Sequence, residues 1–516
     1  MRVKNYLLLF ILGVTLTVFV ASLQSQPGYL DSDYYFGGGL RLVNGKGFTE
    51  PYLWNYLDDP QGLPHPSHTY WYPLSSLLSA LSMFLSGKHT YAGARLVFIL
   101  ISGLVPVVTA ALAFNITGRT PLAWVSGLLA VFSVYHVPFL SVTDNFGPFM
   151  LLGGLYFLFM MREEKYFLFL LGILAGLFNL ARSDGLLWLG LTGLLSLWRA
   201  RSSKTPMRNF LVFGVLAFAG YLLVMVPWYV RNYSLFGSIM APGGSRILWL
   251  TNYNDTFAFP ASQVNLKSWL EAGWYAAMKS RLWALWMNLM NTVGAQGGIL
   301  LFPFILIGLW QVKGQMRTRL AVTGWGMLFF VMTFIFPFAG ARGGFFHAGA
   351  AFQPYWWAVA PLGLDRITDW IRKRDWLDDH AYFVFRGALI GICVLLTGTI
   401  IWLRILKTGW QTESEPYLAI EQILIAQEAQ PQELIIVRNP VSYYLQTGRS
   451  AIVLPPGGAE TILALAQRYD ASFFALEPGG VLDEYQALFD GLESNSGLTL
   501  IGEIEGAKVY ELHPPQ

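Results

Sequence analysis

Residues 6–35 read YLLLFILGVTLTVFVASLQSQPGYLDSDYY, an uncharged apolar run followed at once by a loop with two carboxylates. A run of about 20 apolar residues is long enough to cross a bilayer as a helix. Across the 516 residues, 54% are hydrophobic and 13% are charged, whereas a soluble domain has about 25% charged residues. This composition excludes a soluble globular enzyme and a disordered chain. It predicts a mainly α, polytopic transmembrane bundle.

Apolar runs of similar length recur along the first 405 residues, which we predict to form the transmembrane domain. Lipid offers no partner to an unpaired backbone group, so such runs must be helical. The first run follows Arg2 and Lys4 and lacks a small-residue cleavage site, which favours an uncleaved anchor over a signal peptide. We expect about eleven spans, near residues 6–23, 96–116, 121–138, 146–161, 166–181, 185–198, 209–228, 296–311, 319–338, 354–368 and 386–404.

The distribution of lysine and arginine predicts the orientation of these spans. With the N-terminus in the cytoplasm, the cytoplasmic loops contain most of these residues and the short outside turns contain almost none. The pattern requires that the short apolar stretch 73–87 does not span, so we expect it to lie on or dip into the outer leaflet. Two long loops, 24–94 and 229–294, then face away from the cytoplasm.

The composition changes after Trp410. Amphipathic helical patterns alternate with β-rich apolar runs, and this alternation is typical of a small α/β domain. We predict that residues 412–516 form such a domain outside the cytoplasm. The predicted strands are 434–437, 451–454, 472–475 and 498–501, and the predicted helices are 415–428, 459–469 and 482–492.

Bulk charge and cysteine content exclude further classes of protein. The net charge is only +3, so a role in nucleic-acid binding has no support. The single cysteine, Cys393, excludes a disulfide or a cysteine metal site within one chain.

Three carboxylates in the outside loops are candidate catalytic residues. Asp31 and Asp33 lie just after the first span and are two residues apart, so they cannot point the same way on one helix. One can act as a general base while the other binds a cation or caps the helix. Asp144 lies in the turn SVTDNFGP and faces the same compartment. Capping of the helix that starts near Phe146 is the structural alternative for Asp144.

Two histidines in the first outside loop, His65 and His68, belong to the segment HPSHTYWYP. Together with Asp31 and Asp33 they suit a divalent metal or a phosphate. Two histidines without a fixed third ligand are a weak metal signal, so metal binding stays open at this point.

Cationic groups near the outer ends of later spans are candidate phosphate ligands. Arg182 is two residues from Asp184, so a self-contained ion pair competes with phosphate binding. Arg231 follows a long apolar run. Arg342 and His347 lie in GARGGFFHAG, where glycines let backbone N–H groups approach an anion and the arginine adds a forked donor. A flexible turn is the alternative for this loop.

Over about residues 1–405 the sequence resembles the C-type glycosyltransferase superfamily, especially the protein O-mannosyltransferases and the aminoarabinose lipid A transferases. Four features carry the resemblance: the acidic first loop, the segment HPSHTYWYP, TDN in the second outside turn, and PWYVRNYSLFG after a long apolar run. The Lys-Pro-Pro usual in the first loop of that family is replaced here by His65-Pro66-Ser67-His68.

The resemblance implies an inverting glycosyltransferase that uses a polyprenyl-phosphate sugar and an extracytoplasmic glycan, lipid or protein acceptor. The role of base maps onto Asp31 or Asp33, and Asp144 matches the acidic residue of the second loop. The donor-phosphate contacts are then sought among Arg182, Arg231, Arg342, His347, His65 and His68.

Two other classes of protein compete with this prediction. A transporter or flippase of lipid-linked sugar intermediates is favoured by the interruption within 166–198, since transporters use broken helices. A structural or receptor protein whose tail binds a partner predicts no pocket shared by the outside loops.

Overall fold

The computed structural model describes residues 1–201, 203–374, 378, 380–410, 416–479, 481–493 and 495–514. This part of the chain is mainly helical. Ahead of the tail, its longer α-helices are Val3–Ser22, Leu30–Val43, Leu74–Ser86, Leu96–Thr117, Thr120–Val131, Phe146–Phe159, Tyr166–Ala181, Leu186–Arg201, Pro206–Phe236, Leu266–Asn291, Phe302–Val312, Met316–Phe330, Gln353–Arg372 and Ala381–Ile401.

Each of the eleven predicted spans overlaps one of these helices. Six helical segments of the described chain are long and apolar enough to cross a membrane, which indicates a membrane protein; the total of about eleven spans stays a prediction. The stretch 166–198 forms two helices separated by a short turn at Ser183–Gly185. The six segments are Val3–Ser22, Tyr91–Thr117, Thr120–Leu140, Pro206–Phe236, Met316–Ile335 and Ala381–Lys407.

Small residues allow the helices of the bundle to approach closely. A Cβ added to Gly172 would lie 1.9 Å from the carbonyl oxygen of Ala217, and one added to Gly220 would lie 2.1 Å from that of Phe169. The helices Tyr166–Ala181 and Pro206–Phe236 therefore touch backbone to backbone. Such contacts are how helices associate where lipid removes the hydrophobic driving force.

A glycine-rich helix, Leu30–Val43, begins the first long loop and packs on the helix Leu74–Ser86. A Cβ on Gly38 would lie 2.5 Å from Ser76 Oγ, and one on Gly39 would lie 2.5 Å from Ser79 Oγ. The second helix has 13 residues, which gives a length of about 20 Å, too short to cross a hydrocarbon core of about 30 Å. This packing fixes the N-terminus of Leu30–Val43, where Asp31 and Asp33 lie.

The tail contributes five strands to a six-stranded mixed sheet. The helices that accompany it are Pro416–Ala426, Pro440–Thr447, Gly458–Tyr469 and Gln486–Phe489. Along the sheet the strands run in the order Tyr52–Leu53, Ala451–Val453, Leu434–Val437, Ala471–Leu476, Ala507–Leu512 and Leu498–Ile504.

The edge strand of this sheet comes from the first long loop and not from the tail. Tyr52 pairs with Ala451 and Leu53 with Ile452, in parallel orientation. The same loop also forms a two-stranded antiparallel pair between Thr49–Glu50 and His65–Pro66. The loop that carries the candidate carboxylates is thus built into the sheet of the tail, which the sequence analysis did not predict.

Candidate active site

Asp31, Asp144 and His347 come together from three distant parts of the sequence. One ligand atom from each residue lies within 4.8 Å of the other two. His347 Nε2 is 3.1 Å from Asp144 Oδ2 and 3.5 Å from Asp31 Oδ2. Asp144 is completely buried, whereas the side chain of Asp31 is 24% exposed. The cluster therefore has one carboxylate that a substrate can reach.

Asp144 is held in place by one residue of the first long loop and one residue of its own turn. Its Oδ2 accepts a hydrogen bond from the Tyr29 hydroxyl at 2.5 Å, and its Oδ1 accepts one from the Asn145 backbone N–H at 2.5 Å. The helix begins at Phe146 as predicted, but its N-cap residue is Asn145, and no side chain caps it. The capping alternative for Asp144 is therefore not observed, and the carboxylate is directed into the cluster.

The ring of His347 is oriented by two contacts. Its Nδ1 is 3.0 Å from the carbonyl oxygen of Gly343, and its ring stacks on Phe146 with the centroids 4.2 Å apart. A carbonyl only accepts, so Nδ1 must carry a proton. Nε2 then faces two carboxylates, and this arrangement needs either a second proton on the ring or a cation between the three groups.

The pKa values of the three groups reflect this competition. Burial raises the pKa of Asp31 to about 6, although the ring of His347 acts in the opposite direction. Burial also disfavours ionised Asp144, yet His347, Tyr29 and the Asn145 N–H hold its pKa below the usual value. Burial opposes a charge on His347, but the carboxylates of Asp144 and Asp31 raise its pKa.

The three groups also fit a divalent cation. Two carboxylate oxygens and an imidazole nitrogen form a ligand set that zinc and similar cations accept. A bond from the second ring nitrogen of His347 to a backbone carbonyl is the usual support for a metal-bound histidine. Of the predicted metal ligands Asp31, Asp33, His65 and His68, the structure places Asp31 alone in this cluster.

Arg182 lies beside the cluster and makes the ion pair that the sequence offered as one alternative. Its Nε is 2.9 Å from Asp184 Oδ2. A Cβ added to Gly344 would lie 3.5 Å from Arg182 Nη2, so the guanidinium adjoins the loop that carries His347. Its charge also favours the ionised form of Asp31, against the pKa increase that burial causes.

Arg342 is exposed and stacks on aromatic rings of the second long loop. Its guanidinium carbon is 4.7 Å from the ring centroid of Tyr253 and 6.0 Å from that of Trp283. Burial raises the pKa of Tyr253, and the charge of Asp31 adds to that increase. Arg342 directly precedes Gly343, whose carbonyl oxygen contacts His347 Nδ1, so Arg342 and the Tyr253 ring beneath it lie at the rim of the cluster.

His68 lies inside the first loop, and Arg231, near the end of the helix Pro206–Phe236, binds that loop. Ser67 Oγ is 2.7 Å from His68 Nδ1 and Ser76 Oγ is 2.8 Å from His68 Nε2, so both ring nitrogens have partners. Burial lowers the pKa of His68 to about 3, with Arg231 adding to the effect. Arg231 donates to the Ser67 carbonyl at 2.7 Å and lies over the Trp228 ring at 4.5 Å.

His65 also pairs within the loop. Its Nε2 is 3.1 Å from Glu50 Oε1 and 3.2 Å from the carbonyl oxygen of Tyr52. Both side chains of the pair are buried. Glu50 and His65 lie opposite each other on the paired strands Thr49–Glu50 and His65–Pro66, so their contact links two parts of the same loop.

Asp33 points to the other side of its helix. Its Oδ2 lies 3.5 Å from Asn439 Nδ2, which belongs to the tail. The expected divergence of the two carboxylates is therefore observed, with Asp31 directed to the cluster and Asp33 to the tail.

A small cavity lies next to Asp184, between the helices Leu186–Arg201 and Met316–Phe330 and the segment 345–352. Its volume is about 10 Å³, enough for about one water molecule. Asp184 lies at its polar end, and the remaining lining residues are Leu187, Trp188, Leu191, Gly324, Leu328, Ala348 and Phe352.

The fold is similar to those of solved integral-membrane glycosyltransferases that belong to the C-type superfamily. An oligosaccharyltransferase from Archaeoglobus fulgidus, AglB, in complex with an inhibitory peptide and a dolichol-phosphate, superimposes with a TM-score of 0.57 at 13% identity, over 91% of this chain and 69% of that chain. The Archaeoglobus fulgidus enzyme in complex with Zn and sulfate gives 0.57 at 12% identity, over 90% and 67%.

ArnT from Cupriavidus metallidurans bound to undecaprenyl phosphate covers the full length of both chains, with a TM-score of 0.53 at 16% identity. No protein-family profile matches the sequence. No curated protein matches it either. At these identities the similarity establishes the fold, and the activity must be argued from the site.

Proposed function

We propose that the chain is an inverting glycosyltransferase that moves a sugar from a polyprenyl-phosphate donor to an acceptor on the extracytoplasmic side. The observation that carries the proposal is the convergence of Asp31, Asp144 and His347, with Arg182 beside them. The dolichol-phosphate in AglB and the undecaprenyl phosphate in ArnT support a donor of this class.

Asp31 is the general base in this proposal. It is the accessible carboxylate of the cluster, and a pKa of about 6 suits a base that operates near neutral pH. Asp31 takes the proton of an acceptor hydroxyl or amine while the acceptor atom bonds to the anomeric carbon. The bond from that carbon to the phosphate oxygen breaks on the opposite face, and its electron pair leaves with the polyprenyl phosphate.

The leaving phosphate needs positive charge. Arg182 lies next to the cluster, and Arg342 lies at its rim with its guanidinium exposed. Donors placed where charge develops are usually the largest contribution to catalysis. We assign both arginines to the phosphate. We assign His65, His68 and Arg231 to the internal structure of the loop, because their partners are already within it.

A divalent cation would be held by Asp31, Asp144 and His347. When bound, it would supply Lewis-acid stabilisation of the phosphate oxygens. The Archaeoglobus fulgidus oligosaccharyltransferase in complex with Zn and sulfate supports a cation in an enzyme of similar fold. A carboxylate has two oxygens, so Asp31 can hold the cation with one and accept a proton on the other.

The bilayer accepts the lipid part of the donor in this proposal. The phosphate then lies beside Arg182, whose partner is Asp184. In this arrangement the N-terminus is cytoplasmic, and the loops 24–94 and 229–294 and the tail are extracytoplasmic.

The test is a transfer assay with the purified chain in lipid nanodiscs and an undecaprenyl-phosphate-linked sugar. We expect transfer by the wild type and loss of transfer in Asp31→Asn. Asp59→Asn is the matched control because Asp59 is an exposed residue of the same loop. Equal transfer by Asp31→Asn and the wild type would remove Asp31 from the role of base.

A transporter or flippase is the second candidate, because the helices Tyr166–Ala181 and Leu186–Arg201 are interrupted at Ser183–Gly185. The same preparation in sealed liposomes separates the two. Movement of the lipid-linked sugar between leaflets without transfer to any acceptor would favour transport.

A further inference from the structure

The contact between Asp33 and the tail has no part in the proposed chemistry, yet it lies on the helix that carries Asp31. Asn439 Oδ1 accepts the backbone N–H of Ser442 at 3.1 Å and so caps the helix Pro440–Thr447. Because this bond fixes the carbonyl side of the amide, the group directed at Asp33 is the Nδ2 donor, at 3.5 Å.

The helix Leu30–Val43 couples the two carboxylates. Residues two apart on a helix are separated by about 200° of rotation. Any turn of the helix that moves Asp33 relative to Asn439 therefore moves Asp31 relative to His347 and Asp144. The contact of Asp33 with Asn439 therefore also determines the direction of the Asp31 side chain.

The tail also holds the same loop elsewhere. The strand Tyr52–Leu53 is paired into the tail sheet. The Tyr56 hydroxyl donates to the Val453 carbonyl, and the Tyr469 hydroxyl donates to the Pro60 carbonyl at 3.0 Å. The helix Leu30–Val43 itself contributes Tyr34 and Tyr35 to an apolar cluster that includes Val441 of the tail.

The start of that helix is clamped just before the tail begins. Trp410 Nε1 donates to the Pro27 carbonyl at 3.0 Å, and the ring packs on Gly28, where an added Cβ would lie 2.3 Å from Nε1. Trp410 also packs edge-on against Tyr29, whose hydroxyl holds Asp144. Trp410 therefore contacts Tyr29, the hydrogen-bond partner of Asp144, and the backbone that leads into the helix carrying Asp31.

We infer that the tail is part of the catalytic apparatus, with Asn439 as a positioning residue that sets the rotation of Leu30–Val43 through Asp33 and so aims Asp31 at the cluster. The inference rests on the proposed function of Asp31. It assigns Asp33 to positioning and leaves Asp31 as the base.

The experiment is a double-mutant cycle on the full chain in nanodiscs. Asn439→Asp keeps the capping oxygen but sets a carboxylate against Asp33, and we expect kcat to fall about tenfold or more with an unchanged donor KM, as for the loss of other supporting contacts. The reciprocal pair, Asp33→Asn with Asn439→Asp, exchanges donor and acceptor. We expect it to return kcat to within about threefold of the wild type.

Asn495→Asp is the matched control. Asn495 Oδ1 also accepts a backbone N–H, that of Gly497 at 2.9 Å, so this variant adds the same charge to the tail and keeps the same kind of bond. We expect its kcat to equal that of the wild type. Asn439→Ser keeps a capping oxygen but removes the Nδ2 donor that reaches Asp33, and it should lose less activity than Asn439→Asp. It takes over the test if Asn439→Asp does not fold.

Titration with Zn²⁺ provides a readout that does not depend on transfer. Misdirection of Asp31 should weaken Zn²⁺ binding in Asn439→Asp and restore it in the reciprocal pair. If the wild type transfers no sugar, the proposed function fails while the Zn²⁺ pattern still tests positioning. Unchanged kcat and Zn²⁺ affinity in Asn439→Asp, or a reciprocal pair as impaired as Asn439→Asp alone, would overturn the inference.

Discussion

His347 and the two histidines of the first long loop lie in predicted outward loops, and all three are buried. His68 has a serine hydroxyl on each ring nitrogen, and His65 is closed by Glu50 and the Tyr52 carbonyl. His347 instead satisfies one nitrogen with Gly343 and directs the other at two carboxylates. The difference shows what distinguishes a site histidine here: one ring nitrogen faces two carboxylates, which need a proton or a cation. A structural histidine has neutral or paired partners for its ring nitrogens.

Replacement of Asp31 should have the largest effect on kcat, because it removes the accessible carboxylate opposite His347. We expect Asp31→Asn to lower kcat by about 10²–10⁴-fold, the usual contribution of a general base. Transfer of a radiolabelled sugar in nanodiscs measures it. Asp33→Asn should lose far less. If Asp33→Asn and the double variant both keep full activity along with Asp31→Asn, neither residue is the base.

Metal binding should give the second-largest difference between His347 and the histidines of the first long loop. We expect a chelator to inhibit transfer and Zn²⁺ or Mn²⁺ to restore it, because three ligand groups converge on one point. His347→Gln should weaken metal binding by more than the about 10–100-fold that loss of an outer-shell partner costs. Isothermal titration measures the affinity. His65→Gln serves as the control, and an equal loss there would contradict the distinction between the two regions.

Replacement of His68 should affect stability rather than chemistry. His68→Ala leaves Ser67 and Ser76 without their buried partner, and an unpaired buried polar group costs about 1–3 kcal/mol. We expect a lower Tm by thermal unfolding in nanodiscs, with kcat per folded molecule unchanged. Ser67→Ala is the milder comparison, since it removes one partner and keeps the ring. A large loss of kcat at an unchanged Tm would return His68 to the list of donor-phosphate ligands.

Much of the helical framework could be predicted from apolar runs alone. The helix at 166–181 has the predicted bounds, and four tail strands lie where their β-branched and aromatic content predicts them, whereas the strand Ala507–Leu512 was not predicted. In both cases the prediction depends only on the apolar pattern of consecutive residues, which is local.

The site could be predicted only as a set of residues, since its geometry depends on distant contacts. Asp144 and His347 are 203 residues apart, and no spacing relates them. The strand Tyr52–Leu53 has two residues, too few for any periodicity, yet it ties the first loop to the tail. The choice between Asp31 and Asp33 likewise depends on which one faces Asn439.

The Glu50–His65 pair should give the smallest effect, visible only as a pH dependence of stability. Burial opposes a charge on His65, but Glu50 raises the pKa of His65 above 6.5, and burial raises the pKa of Glu50. The folded state then binds these protons more strongly than the unfolded state, so the contribution of His65 is complete below pH 6.5 and is lost as the pH rises through its raised pKa. The Tm difference between the wild type and His65→Gln should therefore be larger at pH 6 than at pH 8. A difference that grows with pH would mean that His65 is neutral in the folded protein, and the contrast with His347 would then rest on geometry alone.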